Sequence, residues 1–185
     1  TRLLTVGKRR TKKGQCHLLE SDLLEWGKGM ILIALPRNDP LTSGASETLQ
    51  NIQSVARRFP GNTFLGAAPR YDGRDKPRID AFAALAHRAA APMVAVGDVL
   101  MHHGNRRQLA DILTCMREGI TIDQIGSRAL PNAERRLKSG ADMMRIFGDH
   151  PAAIRRTGEI AGRCTFCLSE LSYEYPDEVS GDVSP

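Results

Sequence analysis

At 185 residues the chain is long enough for one ordinary domain, or for one domain and part of a second. Its composition, 41% apolar and 25% charged, is that of a chain with a real core and a solvated surface, and no uninterrupted apolar run approaches the roughly 20 residues of a membrane span. Four cysteines without a secretory signal argue against a disulfide framework and for a reducing, cytoplasmic setting.

The net charge of +5 conceals an asymmetry. Residues 1–13 carry Arg2, Lys8, Arg9, Arg10, Lys12 and Lys13 without one acid, whereas 164–185 hold no Lys or Arg and gather Glu170, Glu174, Asp177, Glu178 and Asp182. A basic opening can meet phosphate backbones, although short charge runs are ordinarily solvated surface. The chain begins with Thr1, and no apolar stretch follows the charges as a signal peptide would require, which suggests a piece of something longer.

In chain order, Cys16-His17-Leu18-Leu19 has the character of a short strand. Ser21-Asp22 reads as a helix cap before Leu23, Leu24 and Trp26, a helix that Gly27 and Gly29 stop. Residues 30–35 form an unbroken apolar run between Gly29 and Pro36, the pattern of a strand covered on both faces. Residues 37–44 are rich in turn formers. Over 46–59, Leu49, Ile52, Val55, Ala56 and Phe59 recur at helical spacing up to Pro60-Gly61. A second strand at 63–68, a polar loop at 70–76, a helix over 78–90 marked by Ile79, Phe82, Leu85 and Ala86, and a third strand at 93–96 complete the series. This alternation predicts neighbouring parallel strands joined by right-handed crossovers, with the helices packed outside.

Beyond Gly104 the pattern changes. Leu109, Ile112, Leu113 and Met116 give a helix closed by Gly119, and 123–138 is polar, Arg-rich and interrupted by Pro131. Two further helices are expected, over 141–147 and from Pro151, the latter with Ile154 and Ile160 inward. No strand signal returns, so the expected organisation is an α/β layer over 1–104 and a helical segment over 105–185.

The third strand ends on Gly97-Asp98, and in α/β folds the rim beyond the carboxyl ends of parallel strands gathers chemistry. Asp98 with His102 and His103 supplies the donor types that bind zinc, manganese and iron. A strand-end Asp also caps turns, and adjacent histidines point apart, so the plain reading weighs more. Cys164-Thr165-Phe166-Cys167 has the spacing of half a zinc site or a redox pair. It lacks the βαβ setting of the redox motif, and Cys16-His17 is far off in sequence, so ordinary thiols are the default. The doublets Arg57-Arg58, Arg106-Arg107, Arg135-Arg136 and Arg155-Arg156 suit a nucleic-acid face or, more simply, solvated helices, and one Trp with three Tyr leaves little for a stacking platform. No Walker loop, G-x-S-x-G elbow or strand-borne G-x-G-x-x-G is present.

Three stretches, in this order, closely resemble the bacterial error-prone DNA polymerases, relatives of the polymerase III alpha subunit. They are Leu3-Leu4-Thr5-Val6-Gly7-Lys8-Arg9-Arg10; Gly97-Asp98-Val99-Leu100-Met101-His102 leading into Arg106-Arg107-Gln108-Leu109-Ala110-Asp111-Ile112-Leu113-Thr114-Cys115; and Tyr173-Glu174-Tyr175-Pro176-Asp177-Glu178. The resemblance covers essentially the whole chain. It implies that 1–104 is the later part of a polymerase and histidinol phosphatase (PHP) domain, a distorted TIM-like β/α barrel, and that 105–185 leads into the polymerase palm. It further implies nucleotidyl transfer by the whole protein in damage-tolerant, translesion DNA synthesis, with magnesium held by palm aspartates expected beyond Pro185. The segment itself would then be structural, with no catalytic residue and no cofactor of its own. The partners implied are DNA and, through the whole polymerase, the sliding clamp and other mutagenesis proteins, with no membrane. Family members with an intact PHP metal site end this strand on Asp-x-His; Asp98 matches, but Leu100 stands at the histidine position. Asp98 is thus the one metal-site match, and it is expected to be held by backbone or by an arginine. The rival readings are a PHP-type metal-dependent phosphoesterase or nuclease, which would need several His and Asp ligands, and a non-catalytic remnant of a truncated gene.

Overall fold

The computed structural model describes residues 2–36, 38–42 and 45–172. The motif at 173–178 and the acidic residues Glu174, Asp177, Glu178 and Asp182 lie outside them. The chain runs through α1 (Arg2–Arg9), α2 (Glu20–Trp26), β1 (Leu32–Ala34), α3 (Ala45–Arg58), β2 (Thr63–Ala67), α4 (Asp75–Arg88), β3 (Met93–Ala95), α5 (Arg107–Glu118), α6 (Gly140–Ile146) and α7 (Pro151–Arg163).

The three strands are parallel and in sequence order, with Leu32 beside Thr63, Ala34 beside Leu65, Leu65 beside Met93 and Ala67 beside Ala95. This is the arrangement the alternation predicts. The described residues make a mixed α/β fold around a small open sheet; the closed barrel that the resemblance implies is not seen among them.

One face of the sheet carries the core. Leu65, Ala67, Met93 and Ala95 meet Leu49, Ile52 and Ala56 of α3 and Ile79, Phe82, Leu85 and Ala86 of α4, all buried. Helical spacing places each trio or quartet on one stripe, so burial of these side chains fixes how the two crossover helices lie. The helical segment shares this core: Phe147, at the end of α6, and Ala153 of α7 belong to the same cluster. Along the outer edge of β3, Arg156 Nη1 donates to Met93 O at 2.7 Å, engaging a carbonyl that a further strand would otherwise take.

The other sheet face is thinner. A Cβ on Gly66 would come within 2.5 Å of the Leu35 side chain and 3.0 Å of Ile33, so glycine is required for β1 and β2 to bring those groups across. Ile33 and Leu35 themselves remain exposed, which corrects the expectation of a strand covered on both faces: β1 is an edge strand. It is also shorter than the apolar run, because the Met30 N–H turns back to Gly27 O.

The amino-terminal part differs from its sequence reading in two ways. The basic opening forms a helix, α1, whose Gly7 packs so closely on Cys16 and Leu18 that an added Cβ would lie 2.7 Å from each side chain. Residues 16–19 are held against that helix, with the His17 N–H on Gly7 O, instead of forming a strand. Ser21-Asp22 is not a cap but lies inside α2. Asp22 is buried, accepting the Leu19 N–H at 2.8 Å and a two-pronged pair of bonds from Arg10 at 2.6 and 2.9 Å.

Candidate functional site

The loops after β1, β2 and β3 border a cavity of about 640 Å³ at the carboxyl rim of the sheet, lined in part by Leu35, Pro36, Arg70, Asp98, Asn132 and Arg135. Asp98 takes the left-handed conformation, φ 45°, that an aspartate tolerates better than a branched residue. Its carboxylate Oδ1 lies 2.9 Å from Arg135 Nη2, and Arg135 Nε donates to the Asp98 carbonyl at 2.9 Å. The expectation that an arginine holds Asp98 is thus met by one from the helical segment.

Arg135 sits in a strap that the polar composition of 123–138 did not reveal. Its carbonyl accepts the N–H groups of Leu100 and Met101 at 2.8 and 3.1 Å, the Leu137 N–H donates to Met101 O, and Met101 and Arg136 form an isolated parallel bridge. Asn132 Nδ2 donates to Arg70 O and the Leu130 N–H to Asp111 Oδ1, each at 3.0 Å. Lys138 fixes the far end: its side chain is buried, bonds to the Glu134 carbonyl and lies 5.1 Å from the centre of the Tyr71 ring, and burial pushes its pKa down. Some strand-like pairing therefore does return after Gly104, through backbone groups that carry no side-chain signature.

A divalent ion at Asp98 would need further oxygen or nitrogen donors at about 2.0–2.3 Å. The charged group beside Asp98 is a guanidinium, Leu100 is exposed, and both histidines are exposed, with His103 Nδ1 accepting the Asn105 N–H to cap the following turn. Among the described residues no group of three or more His, Cys, Asp and Glu side chains is placed to hold a metal ion. Of the residues lining the rim cavity, Asp98 and Glu134 are the carboxylates.

The other sequence candidates disperse. Cys164 and Cys167 are both exposed, and a hydrogen bond from Ser169 Oγ lowers the Cys167 pKa. Every arginine doublet has at least one member engaged within the fold. Arg58 lies over Phe59, Arg107 is 3.6 Å from Asp111, Arg135 holds Asp98, Arg136 approaches Glu134 and Asp142, and Arg156 holds Met93 O.

The rim has an organiser that sequence reading missed. Arg78, on the first turns of α4, is fully buried and reaches three carboxylates: Asp72 from Nη2 at 2.5 Å, Asp75 from Nη1 at 2.9 Å and Asp39 from Nε at 3.2 Å. Asp75 also accepts the N–H groups of Arg70 and Tyr71, and Asp39 that of Leu41, so one guanidinium ties together the loops after β1 and β2. The available signal was an arginine four residues before Phe82, on the apolar stripe of its own helix.

These pairs set a pH dependence. The Arg78 hydrogen bond lowers the Asp72 pKa to about 2, and that of Arg10 lowers Asp22 to about 2, against an ordinary 3.8. A carboxylate depressed in the folded state gives stability that is complete above its unfolded value and is lost as pH falls through the folded one. The urea midpoint is therefore expected to be flat from neutral pH to about 5, then to fall between 3.8 and about 2. Asp72→Asn should shorten that acid limb; an unchanged limb in both Asp72→Asn and Asp22→Asn would refute the assignment.

No protein-family model matches the chain. It is 67% identical, over all 185 residues, to an error-prone DNA polymerase of Ruegeria pomeroyi. It is 44% identical to one of Rhodopseudomonas palustris over 96% of the chain, and 39% identical to one of Sinorhizobium medicae over 100% of it. The chain is homologous to a segment of the bacterial error-prone DNA polymerases. It spans 16% of the length of each of these three relatives. Within the chain the rim, its strap and Arg78 are the built features. No described helix is long and apolar enough to cross a membrane.

Proposed function

We propose that the chain works as part of a DNA-directed DNA polymerase of the error-prone kind, in damage-tolerant synthesis, and that this segment braces the enzyme instead of carrying its chemistry. The observation that bears most weight is the 67% identity sustained over the whole chain to a protein named error-prone DNA polymerase. In this reading 1–104 belongs to the PHP domain and 105–185 leads toward the palm. Asp98 serves as the anchor for Arg135, fastening the strap to the strand rim where relatives with an intact site would bind metal.

Nucleotidyl transfer would use magnesium held by aspartates outside this segment, activating the primer hydroxyl and steadying the leaving pyrophosphate. DNA is the partner of the whole polymerase; the sliding clamp, other mutagenesis proteins and a cytoplasmic setting belong to the same proposal. The test is primer extension with magnesium and four nucleotides on undamaged and abasic templates. A polypeptide containing this segment with the rest of the polymerase sequence is expected to extend both, and the 185-residue chain neither. Synthesis by the purified 185-residue chain would move catalysis into the segment, and none by the longer polypeptide would overturn the polymerase reading.

A further inference from the structure

Residues 1–13 carry six basic residues and no acidic one. Of the cations at the end of α1 and in the turn after it, Arg10 is taken by Asp22. Lys8, Arg9, Lys12 and Lys13 are exposed, and no ion pair with them occurs among the described residues. Lys8 and Arg9 point away from Leu3, Val6 and Gly7, the side of α1 that is turned inward. No acidic residue interrupts 1–13, whereas the arginine doublets elsewhere are partly neutralised or hydrogen-bonded internally. Such a ridge raises the local concentration of polyanions.

The surroundings of the ridge narrow the partner. An anionic membrane would want a broad apolar stripe free to enter the headgroup layer, but among the apolar side chains of α1 Leu4 alone is exposed, Leu3 and Val6 being half-buried. Single strands are held by stacking bases on exposed rings, but Trp26, on the helix packed against α1, already has the Arg2 guanidinium 4.1 Å from its ring centre. Resting on the DNA polymerase reading above, we propose that Lys8, Arg9, Lys12 and Lys13 form a contact site for the sugar-phosphate backbone of duplex DNA, recognised by charge and not by sequence.

The experiment is fluorescence anisotropy of the full 185-residue chain with labelled 20-base-pair duplexes of two unrelated sequences across a salt series. Four phosphate contacts predict a slope of log K on log salt of about −3 to −4, or binding roughly a hundredfold weaker at 200 mM than at 50 mM salt. Both duplexes should bind alike. Joint replacement of Lys8, Arg9, Lys12 and Lys13 by Gln should weaken binding at least about tenfold at 50 mM and flatten the slope. Replacing the exposed Arg57, Arg88, Arg128 and Arg155 by Gln removes the same charge elsewhere and should leave most of the affinity.

Equal losses in the two variants would mean that only net charge matters and would overturn the site, as would no binding by the parent. Preference for single strands, or ridge-dependent binding to phosphatidylserine vesicles without binding to duplex, would overturn it in favour of another partner. None of these outcomes touches the primer-extension test, so failure of the ridge and failure of the polymerase reading are distinguishable.

Discussion

Arg78→Ala is expected to lower the stability of the chain by about 3 kcal/mol, read from urea unfolding. The guanidinium is fully buried, and its removal leaves a void under α4 together with Asp39, Asp72 and Asp75 facing one another without their common cation. Loss of one member of a buried ionic cluster costs about 3–5 kcal/mol, and the low end applies because Asp72 and Asp75 retain access to water. Arg78→Lys should recover only part of the loss, since an ammonium cannot present a planar fork to three carboxylates. The loss should also appear as faster amide exchange at Arg70, Tyr71 and Leu41, whose N–H groups the three-carboxylate cluster holds. A change below about 1 kcal/mol would mean that solvent replaces the guanidinium and that the rim loops are held by something else.

What was legible in the sequence, and what was not, follows from which contacts leave a side-chain pattern. The parallel order of β1, β2 and β3 was legible because short loops and apolar periodicity leave few other solutions. The strap was not, because Arg135 O, Leu100 N–H and Met101 N–H pair through backbone that every residue has. The partner of Asp98 was legible as a type, an arginine or backbone, but its origin 37 positions away was not. Asp22 looked like a cap because Ser-Asp before an apolar run usually is one; the bidentate bond from Arg10 draws it inside the helix. The α1 helix was hidden by its charges, although Leu3, Val6 and the closely packed Gly7 share its inward side.

The position that best tests how the helical segment stands on the sheet is Phe147. It has no exposed surface and sits in the same cluster as Leu65, Ala67, Met93 and Ala95, although it follows them by more than fifty residues. Its N–H donates to Met143 O at the end of α6, and its carbonyl accepts the His150 N–H that leads into α7, so ring and backbone together seat both helices against the strands. Phe147→Ala is expected to cost about 3–5 kcal/mol, the transfer of the ring plus the cavity it leaves, while Phe147→Leu should cost less than about 1.5 kcal/mol. Because the core is continuous, the loss should shift one cooperative transition and raise exchange at the Leu65 and Val96 amides, in and beside β2 and β3, as much as in α7. Two resolved transitions, with the β2 amides still protected in the Ala variant, would show instead that α6 and α7 unfold from a sheet that stands without them.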